Sequence, residues 1–178
     1  GYATGYFGKW HLGGEGHGPA EQGWQVAEET KGNTRPGTHE RTAAYLTDKA
    51  IAFIEAHREK PFLLQVSHHA VHIPLTTTPE LLAKYEKKSP MPHYPSSPAY
   101  AGLLEELDQS VGRITDTVDR LGLAERTLIF FVSDNGGLEH EQNGTIVTSN
   151  APLRSEKGTL YEGGVRVPAV ARWAGRVP

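Results

Sequence analysis

Apolar residues along the chain follow two different periods. Runs of five residues that are wholly or mainly apolar lie at 62–66 and 128–132, and such runs are typical of strands buried on both faces of a parallel sheet. A last strand is predicted at 167–173. Elsewhere apolar residues recur every three or four positions, which predicts amphipathic helices at about 39–59 and from Pro98 to Leu121. The alternation of helices and strands predicts an α/β domain built on a mostly parallel sheet flanked by helices.

Residues that prefer helix ends and turns mark the boundaries of these elements. Thr38 is expected to cap the first helix. Thr78 is expected to cap a short helix that begins at the next residue, Pro79. Gly122 is expected to end the longest helix. The glycine-rich segment 13–37 and the proline-rich segment 90–98 are expected to be loops, and the first of them should lie near a functional site.

Polar side chains follow both predicted buried strands, at the point where each strand ends. Asp134 and Asn135 follow the second run. The first run is followed by three histidines: His68, His69 and His72. Open α/β sheets bind their ligands at the carboxyl ends of parallel strands, so these side chains predict an enzyme site. A third segment, 8–13, would place Lys9 and His11 on one side of an extended backbone.

The Asp134–Asn135 pair offers a carboxylate and an amide oxygen side by side, with two glycines after them that permit a tight turn. Hard cations such as Ca²⁺ or Mg²⁺ prefer these oxygen ligands. The same pattern is common in ordinary turns, so the pair alone leaves a plain turn open as the alternative. Two ammonium groups and two imidazoles elsewhere in the chain could surround an anion held on such a metal. They belong to Lys9, His11, His72 and Lys157.

Each of these four residues, taken alone, has a plainer interpretation. The chain has 9 His and 18 Lys plus Arg, and most such residues are surface charges or hydrogen-bonded histidines. A zinc pair made by His68 and His72 is disfavoured, because Pro74 and the preceding strand argue against the helix that this spacing requires. Only in combination with the Asp-Asn pair do the four residues favour a shared anion site.

Composition excludes several classes of function. The formal net charge of -3 and the lack of a basic run disfavour nucleic-acid binding. No apolar stretch approaches the roughly 18 residues of a membrane span. The chain has no Cys, which excludes disulfides and thiolate metal sites. Its 178 residues suit one domain with a sizeable core, and a start at Gly1 without an initiator Met predicts a fragment.

Four ordered segments resemble motifs of the type I sulfatases. Residues 1–13 resemble the second signature of that family, and three further segments match in the same order: 68–75, 133–137 and 150–168. The family has the alkaline-phosphatase-like α/β fold, binds Ca²⁺ and hydrolyses sulfate esters through a formylglycine made from Cys or Ser. The resemblance therefore implies a sulfuric ester hydrolase whose substrate is a sulfated small molecule or glycan.

The resemblance also implies a role for each charged candidate. Asp134 and Asn135 correspond to ligands of the metal, taken as Ca²⁺ with Mg²⁺ as the alternative. Lys9 and Lys157 would stabilise charge on the sulfate. These roles are physically reasonable, because a sulfate ester builds negative charge on its oxygens during hydrolysis and fixed positive charges lower that barrier.

Two histidines complete the implied site. His11 would assist the formylglycine, and His72 would contact the sulfate and protonate the leaving oxygen. An imidazole that titrates near neutrality is a suitable acid for that step. His68 and His69 have the weaker claim, and one of them is expected to pack in the structure or to meet the substrate.

The chain departs from the family pattern in two respects. No Cys is present, and no Ser lies in the nucleophile motif of the family, which is Cys or Ser, any residue, Pro, any residue, Arg. Two acidic metal ligands that the family places near its N-terminus are also missing, and no motif supports Glu28 or Glu29 as substitutes. Residues 1–178 are therefore predicted to be a partial sulfatase catalytic domain, inactive in isolation, without the nucleophile segment and the C-terminal region.

Two other functions stay open. A phosphomonoesterase or phosphotransferase of the same superfold would need further His and Asp metal ligands. A noncatalytic binder of sulfated ligands is compatible with the missing nucleophile. The resemblance implies a periplasmic, secreted or lysosomal-type compartment, whereas the oligomeric state is not predicted. The loops at 13–37 and 91–98 identify no particular substrate.

Overall fold

The structure is a computed structural model, and it describes residues 1–89, 95, 97–139, 141, 142 and 145–178. Most of the proline-rich loop predicted at 90–98 lies outside the described residues. The chain forms two compact units. The first comprises Gly1–Leu81 with Ala99–Leu123, and the second comprises Leu82–Pro98 with Ala124–Pro178. In the described part of the chain, no helix is both long enough and apolar enough to cross a membrane.

The first unit is built on a parallel sheet of three strands. They are β1 (Ala3–Gly8), β2 (Val26–Glu29) and β3 (Phe62–Ser67), in the order β2-β1-β3. The helix α1 (Thr42–His57) connects β2 to β3, as the predicted α/β alternation requires. Strand β2 corrects the prediction that 13–37 is entirely loop. Its four residues show no clear apolar alternation, and they are ordered by backbone pairing to β1 at the edge of the sheet.

Helix α1 packs against β1 and β3 and forms the hydrophobic core with them. Phe7 and Phe53 meet edge to face with their ring centroids 6.1 Å apart, and Leu46 is fully buried beside them. The prediction that Thr38 caps α1 is wrong. The N-cap residue is Arg41, without a side-chain cap bond, and the Thr38 hydroxyl donates instead to the carbonyl of Arg35 at 3.0 Å.

The next two helices begin where the sequence predicts. Helix α2 (Pro79–Glu86) is capped by Thr78, whose Oγ1 accepts a bond from the backbone N–H of Leu81 at 3.3 Å. Helix α3 (Pro98–Arg120) is followed by Gly122, so the predicted helix end is confirmed, and its φ of 66° is the left-handed conformation that favours glycine there. Hydroxyl groups join α3 to α1 in the core, since Thr47 Oγ1 and Ser110 Oγ lie 2.5 Å apart.

The second unit contains two short strand pairs and a one-turn helix. Strand β4 (Ile129–Val132) pairs antiparallel with β7 (Ala169–Arg172), and β5 (Glu141–Gln142) pairs antiparallel with β6 (Thr145–Ile146). Helix α4 (Glu162–Val165) precedes β7. The last strand is thus shorter than the predicted 167–173.

The prediction that both apolar strands are buried on both faces is wrong. Exposure alternates along β3 and along β4, so that Leu63 is 53% exposed and Phe130 is 62% exposed. A strand is fully buried only where side chains cover both faces of its sheet. In the first unit α1 covers one face of β1 and β3, and the alternate side chains of β3 remain in contact with solvent.

Candidate active site

The ends of β1 and β3 lie side by side. Gly8 is paired with Ser67 in the strand register, and the backbone N–H of Lys9 donates to the carbonyl of Ser67 at 2.8 Å. Gly8 has a φ of 128°, and a Cβ atom there would lie 2.0 Å from the Ser67 oxygen. Only glycine therefore fits at this strand end. The parallel pairing brings the segment that carries Lys9 next to the segment that leads to His72.

Aromatic side chains hold the segment after β1. The hydroxyl of Tyr6 donates to the carbonyl of Lys9, and burial raises the pKa of Tyr6, which keeps this phenol protonated. The Trp10 ring meets Tyr6 edge to face at 5.0 Å, and its Nε1–H donates to the carbonyl of His17 at 2.9 Å. His11 is exposed. That Lys9 and His11 point to one side stays a prediction, because β1 ends before them.

His72 lies in the irregular segment after β3 and is half-buried. Its Nδ1 lies 2.8 Å from the carbonyl oxygen of Ile73. A carbonyl can only accept a hydrogen bond, so Nδ1 carries the proton in this contact. The other ring nitrogen, Nε2, is then the one left available for proton transfer. This tautomer suits the role of a proton donor to a leaving oxygen.

His68 has a structural environment and does not resemble a catalytic base. Its Nε2 lies 2.7 Å from Ser110 Oγ on α3, and that hydroxyl meets Thr47 of α1. Burial lowers the pKa of His68 to about 4, so the ring is neutral at physiological pH. This placement agrees with the expectation that one of the two histidines after β3 packs in the structure.

In the second unit, Asp134 and Asn135 follow β4 after one intervening residue, Ser133. Asp134 is exposed and Asn135 is half-buried. The amide nitrogen of Asn135 donates to the carbonyl of Gly136 at 2.9 Å, which leaves its Oδ1 as the atom available to a cation. A carboxylate and an amide oxygen fit part of the shell of a hard cation. Outside the gaps at 90–94, 96, 140 and 143–144, no group of three His, Cys, Asp or Glu residues could hold a metal.

Backbone contacts bring Lys157 next to this turn. Its backbone N–H donates to the carbonyl of Gly137 at 3.1 Å. Asn150 bonds the same residue twice, since its Oδ1 accepts from the Gly137 N–H at 2.9 Å and its Nδ2 donates to the Gly137 carbonyl at 2.8 Å. The sequence predicted no role for Asn150, which was only the first residue of the matching segment 150–168. The structure shows that its amide closes the loop between the Asp-Asn turn and Lys157.

Glycines let the chain pack closely around the turn. The N–H of Gly136 donates to the carbonyl of Gly164 at 2.9 Å, and a Cβ on Gly136 would lie 1.7 Å from the Gly163 oxygen. Ser155 has a φ of 68°, an unusual conformation for a residue other than glycine. The conformation of the Asp-Asn turn therefore depends on close contact between Gly136 and the pair Gly163–Gly164, which lie far apart in the sequence.

The six predicted site residues fall into two groups. The first unit brings the segments of Lys9 and His11 next to that of His72, and the second bonds the backbone of Lys157 to Gly137, two residues after Asn135. The joining of these groups in one cleft stays a prediction. Glu28, considered as a substitute ligand, is engaged elsewhere, because its carboxylate accepts from the Tyr45 hydroxyl and lies 3.1 Å from Lys49 Nζ.

Comparison with known proteins agrees with these motifs. The family model described as Sulfatase matches residues 1–178. A sulfatase of Formosa agariphila is 34% identical over 165 residues, which are 85% of this chain and 29% of that protein. Arylsulfatase H of Canis lupus familiaris is 36% identical over 144 residues, which are 78% of this chain and 24% of that protein. The chain thus spans about a quarter of the length of such relatives.

Solved structures show the same architecture. The crystal structure of Ps i-CgsB in complex with k-i-k-neocarrahexaose has a TM-score of 0.81 and 26% identity, covering 99% of this chain and 46% of that one. A protein in the alkaline phosphatase superfamily from Vibrio parahaemolyticus has a TM-score of 0.53 at 16% identity, covering 96% and 38% of the two chains, a likeness of fold alone. The predicted alkaline-phosphatase-like α/β fold is confirmed. Because the family model covers the chain from end to end, the chain belongs to the sulfatase family.

Proposed function

We propose that the whole protein is a sulfuric ester hydrolase in which this chain supplies the sulfate-binding groups and part of a metal site. The observation that carries the proposal is the pairing of β1 with β3, which sets two family motifs side by side at strand ends. Family membership supports the reaction class. The phosphomonoesterase, the phosphotransferase and the noncatalytic binder become outcomes of the test.

We propose Asp134 and Asn135 as ligands of a divalent cation, because an exposed carboxylate and an amide carbonyl offer the oxygens that hard cations prefer. Ca²⁺ is preferred to Mg²⁺ because of the resemblance to the Ca²⁺-binding sulfatases. When bound, such a cation neutralises charge on the sulfate oxygens. Lys9 and Lys157 add ammonium charge to the same group. Both lysines are half-buried, which weakens solvent screening of their charge.

His72 is the proposed acid. With Nδ1 bonded to the Ile73 carbonyl, a proton held on Nε2 is the one available to the leaving oxygen. His11 keeps its predicted role beside the nucleophile. No residue of this chain fits the nucleophile motif, so no step of nucleophilic attack is assigned to it.

The substrate class follows from the chemistry of the proposed groups. Two lysines, a cation and an imidazole suit a monoanionic sulfate ester on a small molecule or a glycan. The structural relative crystallised with k-i-k-neocarrahexaose makes sulfated oligosaccharides a reasonable class to assay. A periplasmic, secreted or lysosomal-type compartment remains our prediction for the whole protein.

The test is hydrolysis of 4-methylumbelliferyl sulfate and of the matching phosphate by the full-length protein, with Ca²⁺, with Mg²⁺ and with EDTA. We expect turnover of the sulfate that Ca²⁺ supports best. His72→Ala should lower kcat about a hundredfold or more, the range of a lost general acid. Asp134→Ala should remove both activity and its dependence on the cation. His39→Ala, at an exposed histidine, is the matched control and should be neutral.

Faster turnover of the phosphate would favour the phosphomonoesterase or phosphotransferase alternative. Tight binding of a sulfated ligand without any turnover would favour the noncatalytic binder. Activity that survives both His72→Ala and Asp134→Ala would refute the assigned roles.

A further inference from the structure

The segment that carries His72 is irregular, yet buried groups outside it fix its backbone. Between β3 and α2 the chain forms turns and extended pieces without a helix or a strand. The side-chain amide of Asn33 donates to the carbonyl of His72 at 2.8 Å and to the carbonyl of Pro74 at 3.0 Å. Asn33 itself is only 4% exposed. We propose that Asn33 is a positioning residue for His72, an inference that rests on the proposed function of His72.

The geometry explains why an asparagine is suited to this task. One NH₂ group has two hydrogens, and here each is directed to a different carbonyl of the same segment. These two carbonyls flank Ile73, whose own carbonyl accepts the bond from His72 Nδ1. Fixing the residues on both sides of Ile73 therefore fixes the acceptor that orients the imidazole. Asn33 acts on the ring through the backbone and not by direct contact.

Asn33 is held by a closed loop at the start of α1, which we call the 33–42 loop. The carbonyl of Asn33 accepts from the N–H of Thr42 at 3.1 Å, Thr34 forms an antiparallel bridge with Arg41, and the N–H of Arg35 donates to Glu40 at 3.0 Å. Rigid support of this kind is what a positioning group needs, because a mobile donor could not define where its acceptor lies.

The other end of the 33–42 loop binds the same segment a second time. Arg41 donates through Nη2 to the carbonyl of Thr76 at 2.5 Å, and its Nε pairs with the buried carboxylate of Glu106 at 2.8 Å. Thr77 donates to the other oxygen of Glu106 at 2.7 Å. The segment 72–77 is thus attached at its start by Asn33 and at its end by Arg41 and Glu106.

The test uses the full-length protein with Asn33→Ala and Asn33→Asp. The aspartate keeps the side-chain shape while removing both N–H donors. Gln109→Ala is the matched control, since it deletes a side-chain amide on the exposed face of α3. Two quantities are measured on folded protein: amide hydrogen exchange across 68–77, and kcat and KM for an aryl sulfate.

We expect exchange across 68–77 to accelerate at least tenfold in both Asn33 variants, with β3 and α3 unchanged. We expect kcat to fall at least tenfold while KM changes less than threefold, because small misplacements of a reacting group cost rate steeply. Gln109→Ala should match the wild type in both measurements.

Unchanged exchange across 68–77, or an unchanged kcat per folded molecule, would overturn the proposal. Failure of both variants to fold would also overturn it, in favour of a purely structural role. A wild type without sulfatase activity would refute the proposed function. The exchange measurement needs no turnover, so it would still decide whether Asn33 holds the segment 72–77.

Discussion

The segment after β3 and the turn after β4 carry the two groups of proposed site residues, and they are held by different means. Three buried side chains and the half-buried Arg41 fix the segment after β3; the buried ones are those of Asn33, Glu106 and Ser110. The turn after β4 is fixed by backbone bonds between close-packed glycine segments and by one side-chain amide, that of Asn150, which bonds Gly137. Removing side-chain atoms should therefore lower the stability of the first region, whereas adding them should lower the stability of the second.

The sharpest test of the first region is Glu106→Ala. This change leaves the Arg41 guanidinium, whose side chain is only 15% exposed, without its carboxylate and removes the acceptor of Thr77. Loss of one partner of a buried ion pair costs about 3 to 5 kcal/mol, and we expect the free energy of unfolding in urea to fall by that amount.

A matched control is Glu55→Ala, which breaks another Glu–Arg pair on α1 and α3. Glu55 and Arg120 lie 2.8 Å apart, with side chains 44% and 60% exposed. Such pairs contribute about 1 kcal/mol or less. Equal losses for the two variants would contradict the claim that the buried network holds the first region.

For the second region the test is Gly136→Ala. The new methyl group would overlap the carbonyl oxygen of Gly163, a backbone atom that cannot rotate away. We expect a loss of about 3 kcal/mol in unfolding free energy, the upper part of the range for overpacked sites. Gly112→Ala, at a helical glycine with open space around it, should instead stabilise by up to about 1 kcal/mol. A tolerated Gly136→Ala would show that close backbone packing does not fix the turn.

The smallest expected effect is a pH dependence of the unfolding free energy, which arises from His68 in the first region. Burial lowers the pKa of His68 from 6.5 to about 4, so the unfolded chain binds more protons than the folded chain between these values. Stability should therefore be nearly complete above pH 7 and fall as the pH drops toward 4, by about 2.5 kcal/mol at pH 4.5.

Urea unfolding from pH 4.5 to 7.5 measures this slope. His68→Gln should reduce it, whereas His39→Gln, at an exposed histidine, should leave it as in the wild type. An identical slope in wild type and His68→Gln would show that the imidazole of His68 is not held neutral by the fold.

Local signals in the sequence predicted much of the fold. Helix α3 begins at Pro98 and is followed by Gly122, because a proline start and a glycine end are properties of a few adjacent residues. Strand β3 begins at Phe62, where the apolar run begins. The motif residues were found because strand ends in α/β sheets collect functional side chains.

Features that depend on distant partners could not be predicted in this way. Strand β2 is ordered by pairing with β1, and its own residues show no strand pattern. Asn33 lies among glycines, where an asparagine is typical of a turn, and the carbonyl it binds is 39 residues away. The contact of Ser110 with His68 could not be predicted either. In the sequence Ser110 is one more residue of a helix, and the contact forms only when α3 packs near the segment after β3.

The order of strands in the first unit also determines when its part of the site can form. Lys9 reaches its bond to Ser67 only after β3 has paired with β1, and that pairing joins Ala3 to Phe62 across the whole of β2 and α1. Contacts between residues so far apart in sequence form late, because the intervening chain must be closed into a loop first. During synthesis the earliest motif of the chain therefore stays without its neighbour until some sixty further residues have left the ribosome, and it is exposed to proteases and chaperones for that time.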